Sequence, residues 1–342
     1  MRAADTIFAE KAAPMSHPPA TSYLPTPEAQ PPAELAHLVD SLRDNVAGVF
    51  LGKAEVIRFA VIALLADGHL LLEDVPGVGK TLLAKALAKS LECKFSRIQF
   101  TPDLLPGDLL GTNILNQREA KFEFAPGPIF SQVVVADEIN RATPRTQSAL
   151  LEAMSERQVT IDGVTRPLGP PFLVLATQNP YEFEGTYPLP ESQLDRFMMR
   201  VKIGYPDRAS ERAILTQHRR GEPVDHLKPV LRPSDIVSLQ MVVRSVKVEP
   251  PVADYLLDLI EATRVHSEVS LGASTRAALS YYRASQALAM LSGRQYVTPD
   301  DVKALAVPVL AHRIMTKAWD QGGRNDTESV VADIVSKTKV PV

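Results

Sequence analysis

A lysine-threonine pair and two adjacent carboxylates are the residues of this 342-residue chain whose spacing could do chemistry. The stretch Glu73-Asp74-Val75-Pro76-Gly77-Val78-Gly79-Lys80-Thr81 follows the apolar run Leu70-Leu71-Leu72 and precedes a helix-like segment from Leu82 to Leu91. Strand, glycine-containing loop, Lys-Thr and helix, in that order, predict a phosphate-binding loop. Successive backbone N–H groups can wrap phosphates, and the helix N-terminus adds a positive dipole end. Lys80 would reach the outer phosphates of ATP or GTP and the Thr81 hydroxyl would bind Mg²⁺. The candidate nucleotide site is therefore Asp74, Val75, Pro76, Gly77, Val78, Gly79, Lys80, Thr81 and Leu82. The usual pattern begins with Gly five residues before Gly79, where this chain has Asp74, a residue type that tolerates left-handed backbone. The bland alternative is a chance Gly-Lys-Thr turn between a strand and a helix.

The second group is Val133-Val134-Val135-Ala136-Asp137-Glu138. An all-apolar run predicts a strand buried on both faces, as in a parallel sheet. It ends in two carboxylates, at the edge where open α/β sheets place their ligands. Asp137 is suited to hold Mg²⁺ through water, and Glu138 to polarise an attacking water as general base. A third apolar run, Phe172 to Ala176, also ends in polar residues, Thr177-Gln178-Asn179-Pro180. Asn179 could orient that water or contact the outermost phosphate, although Asn-Pro is also an ordinary turn signal.

The elements that must position these residues follow from periodicity. Glu34 to Phe50 and Ala54 to Ala66 read as helices ahead of the first strand, and Leu82 to Leu91 as an amphipathic helix covering a sheet. Lys94 to Phe100 reads as a strand. Two hairpins are expected, one within residues 112–130 and one over residues 156–170, the latter turning at Asp162-Gly163. A last strand, Met198 to Ile203, follows Leu194-Asp195-Arg196-Phe197. Beyond residues 205–210 strand signals fade and helices are expected at 209–218, 233–242, 251–266, 274–291 and 299–311. Arg276 falls in the first turn of its helix, where a cation opposes the helix dipole, which assigns it another task. The fold class expected is α/β, a three-layer αβα nucleotide-binding domain with a parallel sheet, followed by an all-α lid. The domain boundaries are a Pro/Ala-rich disordered arm at 1–33, the ATPase core at 34–205, the lid at 206–312 and a polar C-terminal tail at 313–342, with a short helix near residues 330–335.

Composition narrows the function classes. The net charge is −3, with no global push toward nucleic acid or an anionic membrane. A single cysteine, Cys93, rules out an internal disulfide framework and fits a reducing compartment. No signal peptide is recognisable, and the longest apolar stretch, Phe59 to Leu72, is broken by Asp67-Gly68-His69 and too short to span a bilayer. A cytoplasmic protein without membrane insertion is expected.

Over residues 34 to 312 the chain resembles the MoxR family of AAA+ ATPases, in the helix-2-insert branch related to magnesium chelatase motor subunits. The stretches that carry the likeness are Gly68 to Glu73, the loop through Thr81, Ala136-Asp137-Glu138-Ile139-Asn140-Arg141-Ala142, Ala176 to Pro180, Glu184-Gly185-Thr186-Tyr187-Pro188-Leu189-Pro190-Glu191 and Gly272-Ala273-Ser274-Thr275-Arg276-Ala277. Asp74 is tolerated in this family, and Thr275 stands where Pro is usual. The resemblance implies that Lys80 and Thr81 are the Walker A pair, Asp137 and Glu138 the Walker B pair and Asn179 sensor 1. Arg196 would be an arginine finger given to a neighbouring subunit, with Arg200 as its competitor. Arg276 would be sensor 2, reaching the γ-phosphate of its own subunit. The resemblance also implies ATP and Mg²⁺ as cofactors, a homo-oligomer in the form of a hexameric ring, a client protein, and a partner carrying a von Willebrand factor A domain. The work implied is chaperone-like remodelling, maturation or metal loading of that client. A metal-chelatase motor, a nucleic-acid remodelling ATPase and a nucleotide-gated scaffold are the alternatives. The second needs basic or aromatic hairpin tips, which Gln117-Arg118-Glu119 and Asp162-Gly163 do not offer.

Overall fold

The computed structural model describes residues 33–74, 77–179, 185–320 and 326–341. The expected arm, the loop residues Val75 and Pro76, and Pro180 and Glu184 lie outside the described residues.

Five strands form one parallel sheet: β1 (Leu70–Glu73), β2 (Phe95–Gln99), β5 (Val133–Asp137), β8 (Leu173–Gln178) and β9 (Met199–Val201), in the spatial order β2-β5-β8-β1-β9. Alternation of side chains along each strand splits the core into two layers. Leu70, Leu72, Val133, Val135, Leu173 and Leu175 join one cluster with α1 (Ala33–Ala47), α2 (Ala54–Leu65) and α3 (Lys80–Ser90). Leu71, Val134, Ala136, Val174 and Ala176 join the other, with α4 (Pro106–Leu110) and α5 (Pro144–Glu156). Burial on both faces is why these strands are apolar throughout. The expected three-layer α/β core is present.

Two antiparallel hairpins leave this core, β3 (Gly111–Asn116) with β4 (Lys121–Pro126), and β6 (Gln158–Ile161) with β7 (Val164–Pro167). They lean on each other: Asn113 Nδ2 donates to Asp162 Oδ2 at 2.5 Å, and the Arg166 guanidinium lies 4.0 Å above the Phe124 ring. A one-turn helix, α6 (Glu191–Leu194), precedes β9.

After β9 no strand joins the sheet among the described residues. α7 (Arg208–Gln217), α8 (Pro233–Ser245), α9 (Pro250–Val265), α10 (Thr275–Leu291) and α11 (Pro299–Leu310) follow, as the periodicity predicts. Two features depart from expectation. A short antiparallel ladder, β10 (Val269–Leu271) with β11 (Met315–Thr316), sits among these helices. The expected polar tail instead continues through α12 (Lys317–Asp320) to α13 (Thr327–Lys337), which buries Val330, Val331 and Ile334 against the helical half. Packing does not stop at residue 312: Arg313 and Thr316 are buried, and the packed structure runs on to α13.

Candidate active site

The carboxyl ends of β1, β5 and β8 meet at one edge of the sheet. Gly77 and Gly79 take positive φ, +87° and +93°, and no side chain but glycine is at ease there. A Cβ on Gly79 would also stand 3.0 Å from the Phe50 ring, so the loop is packed from below as well. Lys80 opens α3, and its Nζ donates to the Asp74 carbonyl at 2.6 Å. Partial burial pulls the Lys80 ammonium down from its ordinary pKa, while Asp74, Asp137 and Glu138 push it back up.

Asp137 ends β5 and is buried. Its Oδ2 lies 3.3 Å from the Thr81 hydroxyl, so the threonine of the loop and the first carboxylate converge as their spacing predicts. The Thr177 hydroxyl, from the neighbouring β8, donates to Asp137 Oδ1 at 3.2 Å and accepts the Glu138 N–H at 2.9 Å. Glu138 takes a left-handed backbone, φ 57° and ψ 50°. Such a conformation in a non-glycine residue costs energy and is typical of functional positions. Its Oε2 is held by Gln99 Nε2 at 2.7 Å and lies 3.1 Å from Arg141 Nε. Arg97 Nε donates to Asp137 Oδ2 at 2.6 Å. Asn179 follows β8 directly, and its carbonyl accepts the Asn140 amide at 3.5 Å.

Thr177, Gln99, Arg97 and Arg141 gain their roles at the carboxylate pair only in the folded structure. The signal that finds two of them is register: β2 pairs with β5 so that Gln99 stands opposite Asp137, and Arg97, two residues back, shares its face.

The two expected arginines lie elsewhere. Arg196 follows α6 at the amino end of β9, where the Met198 N–H donates to the carbonyl of His69, the residue before β1. With about 3.3 Å per strand residue, five residues of β1 put that level roughly 16 Å from Asp74. Arg196 lines a cleft with Ser148, Glu152, Glu156, Gln158 and Gln193, and among the described residues its Nε has no hydrogen-bond partner. Arg276 lies at the same end. Ser274, the N-cap of its helix, donates to Asp195 Oδ2 at 3.0 Å, and Arg276 is close enough to depress the pKa of Arg313. Arg276 thus shares the end of the sheet with Arg196. Arg200 is engaged internally, 3.3 Å from Glu73 and 3.8 Å from Glu328.

Hard oxygen donors of this kind suit Mg²⁺, which keeps most of its waters and takes few protein ligands. Thr81 Oγ1 and Asp137 Oδ2 stand together at the loop, and no cluster of three or more His, Cys, Asp or Glu suited to a metal occurs among the described residues. The donor set therefore fits a nucleotide-borne Mg²⁺ rather than a dedicated metal centre.

A glycine loop at the end of β1, a carboxylate pair at the end of β5 and a polar residue after β8 define a nucleoside-triphosphatase of the phosphate-loop class. The family model described as "ATPase family associated with various cellular activities (AAA)" matches residues 69–199, and the AAA lid domain matches residues 261–334. The "Uncharacterized protein YeaC" of Bacillus subtilis is 46% identical over 90% of this chain and 97% of its own length. "Chaperone MoxR1" of Mycobacterium tuberculosis is 42% identical over 82% of this chain and 76% of that protein, and "Protein MoxR" of Paracoccus denitrificans is 34% identical over 78% and 85%. A solved structure of a candidate ATPase from Cytophaga hutchinsonii superposes with a TM-score of 0.83 at 39% identity, covering 90% of this chain and 96% of that one. The chain belongs to the MoxR family of AAA+ ATPases, and ATP hydrolysis is its chemistry. No helix among the described residues is long and apolar enough to cross a membrane.

Proposed function

We propose that the chain hydrolyses Mg²⁺-bound ATP within a homo-oligomeric ring, a hexamer as its family implies, and uses the cycle for chaperone-like remodelling of a client protein. The observation that supports this most is the meeting of Thr81 with Asp137, at the mouth of a loop whose lysine is the next residue back.

In this reading Gly77 to Thr81 cradle the phosphates and Lys80 neutralises their charge. Thr81 and Asp137 would hold Mg²⁺, which would supply neutralisation of the charge on the phosphates. Glu138 takes the proton of the attacking water, and Asn179 orients that water. Gln99 and Arg141 fix the Glu138 carboxylate by one oxygen, leaving Oε1 for the water. Phosphoryl transfer needs little covalent help, so positioning and charge carry the rate. Arg196 and Arg276, both remote from their own loop, complete the site of a neighbouring subunit. Arginines in such positions raise turnover by roughly 10³ to 10⁵.

Remodelling, maturation or metal loading of a client, in the cytoplasm and alongside a von Willebrand factor A domain partner, is the finer reading. It draws on the similarity to proteins named MoxR and chaperone MoxR1. The core and lid divide near residues 205–210, where β9 gives way to helices.

The test is Glu138→Gln in assembled protein. ATP binding persists and hydrolysis falls by about 10² or more, the usual contribution of a general base; turnover equal to the unmodified protein would remove Glu138 from that role. Partners captured on the ATP-bound variant then identify the client class.

A further inference from the structure

The one loop position where the usual pattern has glycine carries a carboxylate, and that carboxylate faces away from the loop. Asp74 Oδ2 accepts the backbone N–H of Ile203 at 2.8 Å and that of Gly204 at 2.5 Å. Both amides lie just past β9, where the chain leaves the sheet for the helical half. Two successive N–H groups converging on one oxygen form the small anion-holding concavity that a backbone can make by itself. Gly204, at φ +66°, supplies the left-handed turn this requires. Meanwhile the carbonyl of the same Asp74 accepts the Lys80 ammonium at 2.6 Å. One residue thus touches the phosphate-serving lysine through its main chain and the exit from the sheet through its side chain.

The exit is fastened again on its far side. Lys53 Nζ donates to the Tyr205 carbonyl at 2.8 Å, and Asp207 caps α7 by accepting the Ser210 N–H at 2.8 Å. Residues 203–207 are therefore anchored between the phosphate loop and the turn before α2. A free carboxylate beside bound phosphates would be repelled by them. Turned into the two amides, it is neutralised and held off the ligand.

We propose that Asp74 is a positioning residue that ties the helical half to the phosphate loop, so that occupancy of the loop is felt at residues 203–207. This rests on the reading of residues 77–81 as the phosphate cradle. Phosphate oxygens compete with the Asp74 carbonyl for the Lys80 ammonium. The resulting shift in Asp74 passes through its carboxylate to the Ile203 and Gly204 amides, and from there to α7 and the helices that follow.

Asp74→Gly restores the usual loop residue and deletes the tie, while Asp74→Asn keeps one side-chain acceptor at the same reach. Hydrogen exchange over residues 203–207 of the full chain, with and without ADP or a non-hydrolysable ATP analogue, reads the coupling. In the unmodified chain, nucleotide changes protection there. In Asp74→Gly, exchange at these amides is faster by roughly tenfold or more, the loss expected for a hydrogen bond to a charged acceptor. The response to nucleotide disappears, and Asp74→Asn keeps part of both. Nucleotide affinity falls far less in Asp74→Gly than in Lys80→Ala. The proposal is overturned if residues 203–207 ignore nucleotide in the unmodified chain, or if Asp74→Gly leaves their exchange and nucleotide response as they were. It is also overturned if Asp74→Gly loses nucleotide as fully as Lys80→Ala, since the side chain would then serve the ligand directly. Undiminished nucleotide binding by Lys80→Ala would instead remove the phosphate-cradle reading. Should Asp74→Gly not fold, Asp74→Asn decides by the same exchange measurement, with an unaltered profile overturning the proposal.

Discussion

Arg313 and Asp195 stand 118 residues apart in the chain and meet in the interior, Nε to Oδ1 at 2.8 Å. The guanidinium spends all five of its N–H donors. It reaches the carbonyls of Asp195, Phe197 and Met198, the Asp195 carboxylate, and Val309 one turn back in its own segment. The other oxygen of Asp195 accepts the Ser274 hydroxyl, which also caps α10 by accepting the Ala277 N–H at 3.1 Å. The segment that carries Arg196 is thus gripped by the helical half of its own subunit, next to the helix that carries Arg276. Burial lowers the Arg313 pKa to about 10, and Asp195 opposes that fall, so the pair stays charged at neutral pH.

Removing Arg313 takes its donors away from a carboxylate and four carbonyls. Arg313→Met keeps the length of the side chain and is expected to cost about 3–5 kcal/mol of stability, the range for breaking a buried pair from one side. Urea denaturation of the variant checks this. The double variant with Asp195→Ala should lose less than the sum of the two single losses, because the second change removes the orphaned charge. A midpoint unchanged in Arg313→Met would mean that the guanidinium is not the clamp.

The frame of the site was legible because each part is a local pattern. Apolar runs ending in Asp137-Glu138 and Thr177 had to be buried parallel strands, and the structure places them as β5 and β8. The turn at Asp162-Gly163 gave its hairpin directly. What the sequence could not show depends on pairing across long separations. Asp195 reads as a surface carboxylate until Arg313 is brought to it, and the helix of Arg276 has no visible link to the segment of Arg196 until Ser274 meets Asp195. β10 and β11 are too short for alternation to register, and α13 shows a buried face only once a surface exists for Val331 to meet. The partners of the Asp74 carboxylate lie beyond any local pattern, 129 and 130 residues away.

Two buried histidines should make the fold acid-sensitive above the carboxylate range. The His69 pKa is lowered to about 3 by burial and by Arg157, and that of His312 lies well below its ordinary 6.5 by burial and by Arg313 and Arg200. His69 is held neutral by its partners: Nδ1 accepts the Val174 N–H at 3.1 Å, which leaves the proton on Nε2 for the Met154 carbonyl at 3.1 Å. Both are bases whose folded pKa is depressed. The unfolded chain takes up their protons below about pH 6.5 while the folded chain does not, so stability is full above 6.5 and declines as pH falls toward the folded values. Each contributes a slope of up to about 1.4 kcal/mol per pH unit. Unfolding free energies measured from pH 7 to pH 5 should show this decline, and His312→Asn should remove about one proton's worth of it. A slope unaltered in that variant would mean His312 titrates alike in both states.

Thr177 should matter to turnover although it touches no phosphate in the proposed geometry. Its hydroxyl joins Asp137 Oδ1 to the Glu138 amide across two strands. Thr177→Val keeps the shape and leaves both groups unpaired in a buried place, costing about 1–3 kcal/mol. The left-handed turn at Glu138 then loses one of its supports, and kcat should fall more than KM rises. Thr177→Ser retains the hydroxyl and should recover most of the rate. Equal rates for the Val and Ser variants would show that the bridge has no catalytic consequence.

Placement of Arg196 and Arg276 at one end of the sheet, with Lys80 at the other, makes a prediction about mixtures of subunits. An Arg196→Ala subunit has an intact loop but offers no finger, and a Lys80→Ala subunit offers the finger but binds nucleotide poorly. In a mixed ring, the interface that combines the intact loop of the first with the arginine of the second is complete. Turnover should therefore exceed that of either variant alone and peak near equal mixing. The same holds for Arg276→Ala mixed with Lys80→Ala if Arg276 serves the neighbour. If Arg276 acts on its own subunit's ATP, neither kind of subunit owns a complete site and mixing recovers nothing. Steady-state ATPase measured across the mixing ratio, with assembly checked by sedimentation, separates the two. Recovery with Arg196 but not with Arg276 would place the two arginines on different sites despite their shared end of the sheet.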